Sequence, residues 1–288
     1  MKMALETAGF AAAAGCNYFN RKLASVRLTW PGKESTVFDL KGRVAVVTGG
    51  NGGIGLGMAR GLARAGAHVV IAARNAEKSA AAVKELARVG GQGSTATVDV
   101  ADEASVTALM DGVKSRQGRL VILINNAGMN IRKPVHELSL AEWRQVIDTN
   151  LTSAYLCCHA AYPLFKAAGG GKIINIGSMM SIFGASFAPA YAASKGGIVQ
   201  LTKATAVSWA TDNIQVNAVL PGWIDTELTQ NARKEVKGLH DSVLARTPAG
   251  RWGTIDDMEG IAVFLASAAS DFVTVTAIPV DGGYSIAA

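Results

Sequence analysis

A tyrosine and a lysine stand four positions apart in the segment "AYAASK", residues 190–195. On a helix such positions are neighbours, so the phenol of Tyr191 and the ammonium of Lys195 would reach one shared space. A free phenol has a pKa of about 10, and a nearby positive charge favours its ionised form. Such a pair could exchange a proton with a substrate hydroxyl or carbonyl group. An ordinary pair on a solvated helix surface is the alternative interpretation of these six residues alone.

A serine precedes this pair by 13 residues. Ser178 follows the apolar run "KIINI", residues 172–176, which is typical of a buried strand. Ligands of open parallel sheets bind beyond the carboxyl ends of the strands. Ser178 is therefore predicted to hold a substrate oxygen near Tyr191.

A glycine-rich turn, "TGGNGGIG" at residues 48–55, joins the apolar run "VAVVT" to a helical pattern. Free backbone N–H groups and the helix dipole make such a turn a site for a pyrophosphate. Two glycine spacings fit a dinucleotide site: Gly50, Gly52 and Gly55, or Gly49, Gly53 and Gly55. A turn that needs glycine for structural reasons alone is the alternative.

The end of the second predicted strand bears on the choice of dinucleotide. NAD sites usually carry an acid there, which accepts from the ribose 2′-hydroxyl. This chain has Ala73 and then Arg74 instead. A guanidinium binds a 2′-phosphate well, so NADP(H) is favoured. NAD(H) stays possible, because Arg74 could instead stack on the adenine.

Short apolar runs alternate with helix-length segments along the rest of the chain. Strands are predicted at 44–48, 68–72, 95–100, 120–125, 172–176, 214–219 and 277–280, and helices at 54–65, 76–89, 102–116, 140–168, 190–211 and 255–268. The strands are almost continuously apolar, which indicates a parallel sheet covered on both faces. We therefore predict an α/β fold, a single doubly wound Rossmann domain with a seven-stranded parallel sheet over residues 38–288.

Residues 1–37 lack this periodicity and are predicted to be an N-terminal extension, either flexible or an oligomer contact. They contain five Lys/Arg and two Glu, so they carry about half of the net charge of +6. The apolar "AGFAAAAGC" could also be a short signal peptide ending at a lipid-modified Cys16. Glu6 interrupts it and only Lys2 precedes it, which argues against targeting.

Composition excludes several classes of function. The chain has 288 residues, of which 49% are hydrophobic and 17% charged, and charged residues break its apolar runs before they reach the length of a membrane span. No basic stripe is interleaved with aromatic residues, so no nucleic acid partner is expected. The three cysteines favour a reducing compartment, and a cytoplasmic location is predicted. The four histidines are scattered, so no metal is expected.

Together these motifs resemble the short-chain dehydrogenase/reductase family over nearly all of residues 38–288. The glycine turn, Asp99 in "TVDV", "NNAG" at 125–128, Asn150, Ser178, the Tyr191–Lys195 pair and "PGWIDT" at 221–226 occur in the family's order. The resemblance implies a catalytic tetrad of Asn150, Ser178, Tyr191 and Lys195, in which Asn150 anchors a water beside Lys195. The cofactor-binding residues expected are Gly49, Asn51, Gly53, Ile54, Gly55, Arg74, Asp99, Val100, Asn126, Ala127, Gly128, Tyr191, Lys195, Pro221, Gly222, Ile224 and Thr226.

The implied reaction is hydride transfer between a nicotinamide and a secondary alcohol or ketone. A sugar acid or polyol substrate is favoured, because "GSMMS" around Ser178 looks like that of gluconate and deoxygluconate dehydrogenases. Ser178, Tyr191 and Arg132 are the predicted substrate-binding residues, although Arg132 could be a surface cation. A 3-oxoacyl thioester reductase shares every motif, and a non-catalytic dinucleotide-binding sensor is the third possibility. The polar stretch 222–251 resembles the family's substrate lid.

Two further expectations concern assembly and the C-terminal region. Segments 151–168 and 196–210 are apolar around more of their circumference than one sheet contact requires, which predicts a homotetramer or homodimer. Similar proteins often have glycine where Val275 stands, so the turn there is expected to differ or to be strained.

Overall fold

The sheet of this protein has seven parallel strands in the order β3-β2-β1-β4-β5-β6-β7. The computed structural model describes residues 37–287, so the predicted extension 1–37, except Val37, and Cys16 lie outside the described residues. The strands are β1 (Val44–Thr48), β2 (His68–Ala73), β3 (Gln92–Thr97), β4 (Ile122–Asn125), β5 (Gly171–Ile176), β6 (Ile214–Pro221) and β7 (Ala277–Val280). The predicted fold class is confirmed.

Helices cover both faces of the sheet. In β1, Ala45 and Val47 belong to one apolar cluster and Val44 and Val46 to another on the opposite face. This division explains the continuous apolar runs, since both sides of the strand are buried. The helices are α1 (Gly53–Arg64), α2 (Ala76–Arg88), α3 (Glu103–Gln117), α4 (Leu140–Ile147), α5 (Ser153–Ala168), α6 (Pro189–Trp209), α7 (Glu227–Glu235), α8 (Leu239–Arg246) and α9 (Glu259–Ala266).

Strand β3 begins three residues earlier than predicted and also ends three residues earlier. It pairs with β2 from His68 opposite Gln92 to Ala73 opposite Thr97, and β2 ends there. As the edge strand it tolerates polar side chains, and Gln92, Thr95 and Thr97 are exposed. The apolar residues Val98 and Val100 favour a strand that continues to residue 100, but the chain leaves the sheet after Thr97, and Asp99 lies beyond the strand end.

The single helix predicted over 140–168 contains an irregular turn. Residues Asp148–Thr152 form a π-helical turn between α4 and α5. Such turns insert an extra residue and often occur at functional sites. Asn150 lies in this turn and is buried, so the irregularity turns its side chain into the protein.

The polar stretch 222–251, expected as a lid, folds into helices α7 and α8. They enclose a small apolar cluster of their own, formed by Ala232, Leu239, Val243 and Trp252. We call residues 222–251 the lid segment. Polar residues dominate the lid segment and face outward. The sequence pattern therefore does not indicate the apolar cluster that stabilises the two short helices.

Val275 adopts a left-handed backbone conformation with φ +70°. A β-branched side chain is strained there, because its Cβ approaches the backbone carbonyl. The expectation of strain at this turn is confirmed. Val275→Gly is therefore expected to raise the free energy of unfolding by about 1 kcal/mol, measured by denaturant titration.

A matched control for this substitution is Val207→Gly. Val207 is an exposed residue inside α6, and glycine there is expected to lower the free energy of unfolding by about 0.5 kcal/mol, because glycine has a lower helix propensity than valine. Equal destabilisation of both variants would contradict the assignment of strain to Val275.

Cys157 and Cys158 are free, adjacent and buried. Burial raises the pKa of each thiol to about 12, so both are thiols at neutral pH. In residues 37–287 no helix is long and apolar enough to cross a membrane. Across that same range no group of three or more His, Cys, Asp or Glu side chains is arranged to hold a metal.

Candidate active site

A cavity of about 890 Å³ opens along the carboxyl edge of the sheet. It lies where the strand order reverses, since the chain runs outward from β1 to β3 and then returns to pair β4 with β1. Most predicted site residues line it: Gly49, Asn51, Gly53, Ile54, Arg74, Asp99, Val100, Asn126, Ala127, Gly128, Arg132, Ser178, Tyr191, Lys195, Pro221, Gly222, Ile224 and Thr226. Gly55 and Asn150 do not line it.

The glycine turn between β1 and α1 fits an anion. Gly49 and Gly53 have φ +62° and +51°, a conformation that favours glycine. Helix α1 starts without a side-chain cap and without an acidic residue in its first turn. The next helix, α2, is capped by Asn75, whose side chain accepts from the N–H of Lys78 at 2.8 Å. The N–H groups of α1 are thus left to bind a phosphate.

Gly55 lies behind this turn and keeps it closed. A Cβ on Gly55 would lie 2.4 Å from Asn126 Nδ2 and 2.6 Å from the Gly49 carbonyl oxygen. The Asn126 amide donates to the carbonyls of Thr48 and Gly49, at 3.0 and 3.1 Å. The Thr48 hydroxyl in turn accepts from the backbone N–H of Asn126 at 3.0 Å. Asn126 therefore joins the ends of β1 and β4, and Gly55 leaves room for its amide. The sequence analysis does not include Thr48 in the site.

Tyr191 and Lys195 lie on one face of α6, as the spacing predicted. The Lys195 ammonium is 5.5 Å from the centroid of the Tyr191 ring and donates to the Ile176 carbonyl oxygen at 2.7 Å. Ser178 follows β5 by two residues and lines the same cavity. Proline at the first position of α6 presets the helical φ, so the helix begins just before Tyr191.

The expected lowering of the Tyr191 pKa by Lys195 is absent from this structure. Burial raises the pKa of the Tyr191 phenol, and interactions with Ser178 and the positive charge of Arg132 oppose that rise. Lys195 is 3% exposed, and burial lowers the pKa of its ammonium to about 8.

The side chain of Asn150 forms hydrogen bonds with the backbone and does not line the cavity. Its Oδ1 accepts from the N–H of Met129 at 2.8 Å, and its Nδ2 donates to the Met129 carbonyl at 2.9 Å. The same Nδ2 lies 3.0 Å from the hydroxyl of Ser194 on α6. Asn150 therefore tethers the loop after β4 to α6, and its predicted contact with a water beside Lys195 stays a prediction.

At the other end of the cavity, Arg74 follows β2 and is exposed. Asp99 follows β3, and its Oδ1 accepts from the N–H of Ala101 at 3.0 Å. The ends of β2 and β3 are neighbours in the sheet, so both residues lie on the same side of the glycine turn. Here the cavity offers an exposed guanidinium where an NAD site usually carries an acid.

Arg132 lies in the loop after β4 and is held by the lid segment. Its Nη1 donates to Glu235 Oε2 at 2.7 Å, and its Nη2 donates to the Leu228 carbonyl at 3.1 Å. Its side chain is 12% exposed, which excludes the alternative of a solvated surface cation. The guanidinium is therefore a partly buried charge at the cavity wall, paired with Glu235, which the sequence analysis does not include among the site residues.

Other residues along the cavity were also missed. They include Lys78, Met129, Asn130, Met179, Met180, Phe187, Trp223, Glu227 and Leu228. The resemblance assigns no role to these positions, and several belong to the lid segment. Their only sequence signal was proximity to a motif, as with Trp223 after Pro221-Gly222.

A sheet with this switch point, an uncapped glycine turn and a Tyr-Lys pair at its edge defines a nucleotide-dependent oxidoreductase of the Rossmann type. The family model described as enoyl-(acyl carrier protein) reductase matches residues 49–285. The chain belongs to the short-chain dehydrogenase/reductase family. As a member it is an NAD(P)-dependent oxidoreductase acting on CH–OH and C=O groups.

Three relatives illustrate this membership. A 2-dehydro-3-deoxy-D-gluconate 5-dehydrogenase of Escherichia coli strain K12 is 41% identical over 250 residues, which are 86% of this chain and 98% of the relative. A cis-4-hydroxycyclohexanecarboxylate dehydrogenase of Sinomonas cyclohexanicum is 41% identical over 246 residues, with 84% and 96% coverage. A gluconate 5-dehydrogenase of Burkholderia cenocepacia J2315, solved with NADP and tartrate, has a TM-score of 0.83 and 42% identity, and the match covers 87% of this chain and 98% of that chain.

Proposed function

We propose that this oxidoreductase interconverts a secondary alcohol and a ketone of a sugar acid. The observation that carries the proposal is the convergence of Ser178, Tyr191 and Arg132 on one cavity at the carboxyl edge of the sheet. A hydroxyl, a phenol and a partly buried cation suit a substrate with a reacting oxygen and a distant carboxylate. The gluconate-type relatives support this class, and the cyclohexanecarboxylate relative shares the carboxylate.

The roles proposed for the tetrad follow from its placement. Ser178 holds the substrate oxygen, and Tyr191 exchanges a proton with it. Lys195 supplies a positive charge close to the phenol, and Asn150 keeps the loop after β4 against α6. The bound nicotinamide supplies the hydride chemistry. Because burial raises the pKa of Tyr191, the positive charge of an oxidised nicotinamide would favour the ionised phenol.

NADP(H) is the proposed cofactor, with NAD(H) as a weaker alternative. The uncapped N-terminus of α1 fits the pyrophosphate, and the exposed Arg74 fits a 2′-phosphate. The Burkholderia relative, solved with NADP, supports this choice. The predicted cofactor residues Asp99, Val100 and Asn126 through Gly128 are proposed to hold the adenosine and nicotinamide halves.

Arg74→Ala is expected to raise the KM for NADPH about tenfold or more and to leave the KM for NADH nearly unchanged, since a charge-assisted bond to the 2′-phosphate is lost. Steady-state kinetics with both cofactors measures this split. The matched control is Arg119→Ala, an exposed arginine that does not line the cavity. Equal losses with both cofactors would contradict a 2′-phosphate role.

The substrate is tested by the consumption or formation of NADPH and NADH with a panel of D-gluconate, 2-dehydro-3-deoxy-D-gluconate, simple ketones and acetoacetyl thioesters. We expect the sugar acids to give the highest kcat/KM. A preference for acetoacetyl thioesters would favour a 3-oxoacyl thioester reductase. Cofactor binding, seen as a fluorescence change, without turnover of any compound would favour a dinucleotide sensor.

We propose residues 38–288 as the catalytic domain, 1–37 as an extension, a cytoplasmic location, and a homotetramer or homodimer. Exposed Tyr155 on α5 and Val207 on α6 support self-association, because both belong to the segments with excess apolar surface. Light scattering that shows a monomer would refute the oligomer.

A further inference from the structure

Helix α7 is held across the cavity by one ion pair at each end. At its start, Glu227 pairs with Lys78 of α2 at 3.2 Å, on the side of the cofactor turn. At its end, Glu235 pairs with Arg132 of the loop after β4 at 2.7 Å, on the side of the substrate. The two glutamates thus lie on the same short helix. Glu227 lines the cavity, whereas Glu235 reaches it only through Arg132.

The two pairs differ in burial, and so in their energetic weight. Lys78 and Glu227 have side chains 59% and 81% exposed, and water screens such a pair strongly. Arg132 is 12% exposed and Glu235 is 52% exposed, so water screens their pair less than it screens the pair of Lys78 and Glu227. A change of charge at Glu235 will therefore alter the field at the cavity wall more than the same change beside Lys78.

Arg132 has donors to spare for a ligand. A guanidinium carries five N–H donors, and Arg132 donates through Nη1 to Glu235 and through Nη2 to the Leu228 carbonyl. A substrate carboxylate at the cavity wall would therefore share the guanidinium with Glu235. The two carboxylates repel each other, and each weakens the hold of Arg132 on the other.

We propose that Glu235 sets the affinity of the site for anionic substrates by partly neutralising Arg132. This inference rests on the proposed function, because it requires a substrate with a carboxylate. Glu235 acts through Arg132 and is a positioning residue. Its ion pair with Arg132 keeps the lid segment against the loop after β4. By competing for Arg132, it also lowers the affinity of the site for an acidic product.

Glu235→Gln tests the proposal, because the amide oxygen keeps an acceptor for Arg132 while the negative charge is removed. We expect the dissociation constant of D-gluconate for the complex with NADPH to fall about fivefold, as for one partly screened charge. The dissociation constant of D-glucitol, a neutral polyol of the same length, should not change. Tartrate serves as a second anion. Isothermal titration calorimetry measures all three without turnover.

Two variants control this experiment. Glu137→Gln removes an exposed carboxylate of the loop after β4 that does not line the cavity, and it should leave the affinities for D-gluconate and tartrate unchanged. Glu235→Asp retains the charge and should behave as the unchanged protein does. In steady state, Glu235→Gln should lower the KM for the acidic substrate while kcat for a neutral ketone stays constant.

Weaker binding of D-gluconate to Glu235→Gln would overturn the proposal, as would equal changes for D-gluconate and D-glucitol, which indicate a loosened lid. The proposal would also be overturned if Glu235→Gln, Glu235→Asp and the unchanged protein all failed to bind D-gluconate and tartrate. Tighter tartrate binding in Glu235→Gln, together with no turnover of any sugar acid, would support the role of Glu235 and refute the proposed substrate class.

Discussion

Replacing Tyr191 by phenylalanine is expected to lower kcat about a thousandfold or more while the cofactor still binds. The phenol is the group in the cavity that can pass a proton to or from the reacting oxygen next to Ser178, and proton transfer of this kind contributes two to four orders of magnitude. Phenylalanine keeps the ring and its packing. Steady-state turnover and titration of NADPH fluorescence measure the two effects separately.

The matched control is Tyr155→Phe, which removes the hydroxyl of a tyrosine exposed on α5. It should leave kcat and NADPH affinity unchanged. If Tyr191→Phe retained near-normal activity, the assignment of the general acid/base would be wrong. If it lost NADPH binding as well, the loss of turnover would be explained by the missing cofactor, which would contradict a role limited to proton transfer.

Replacing Lys195 by methionine is expected to abolish most turnover and at the same time to stabilise the cofactor-free protein. Lys195 is buried and donates to a carbonyl, and no salt bridge found among residues 37–287 includes it. A buried ammonium without a carboxylate costs several kcal/mol. Since the Ile176 carbonyl loses its donor, the net gain at pH 7 is expected to be about 1–2 kcal/mol, measured by denaturant unfolding.

The contribution of Lys195 to the free energy of unfolding depends on pH. The pKa of Lys195 falls to about 8 in the folded protein, from 10.5. Below pH 8 the lysine is protonated in both the folded and the unfolded state, and the full cost of burial is present. Between about pH 8 and 10.5 the unfolded state binds more protons, so the stability contributed by this group rises with pH.

The stability difference between Lys195→Met and the unchanged protein should therefore be largest at pH 7 and shrink toward pH 10. The matched control is Lys203→Met, an exposed lysine on the same helix, for which the difference should be small at every pH. A Lys195→Met protein that is less stable at pH 7, or a difference that does not depend on pH, would show that Lys195 is not a destabilising buried cation.

Most of the fold could be predicted because its signals are local. The turn at residues 48–55, the helical spacing and the apolar runs each depend on a few adjacent residues. The edge strand β3 and the lid helices were misjudged because their patterns depend on what covers them. At the edge of a sheet polar residues pair as well as apolar ones, and two short helices form only when they share a cluster such as that around Trp252.

The candidate site could be predicted as a set of residues but not as a set of contacts. All but two of the predicted positions line one cavity. The exceptions, Gly55 and Asn150, lie one layer behind it and hold the turn and the loop in place. Spacing predicted that Tyr191 and Lys195 share a face, yet it could not reveal that the ammonium points at the Ile176 carbonyl.

The sequence by itself determined which chemical groups this protein brings to the strand ends, and in what order. Residue types, helical spacing and strand periodicity are properties of neighbouring positions, and they are legible without coordinates. Only the tertiary structure decided the electrostatics. Glu235 meets Arg132 across 103 positions of the chain, and the pKa values of Tyr191 and Lys195 follow from their burial. Desolvation and long-range pairing depend on the whole surroundings of a charge, which no local pattern records.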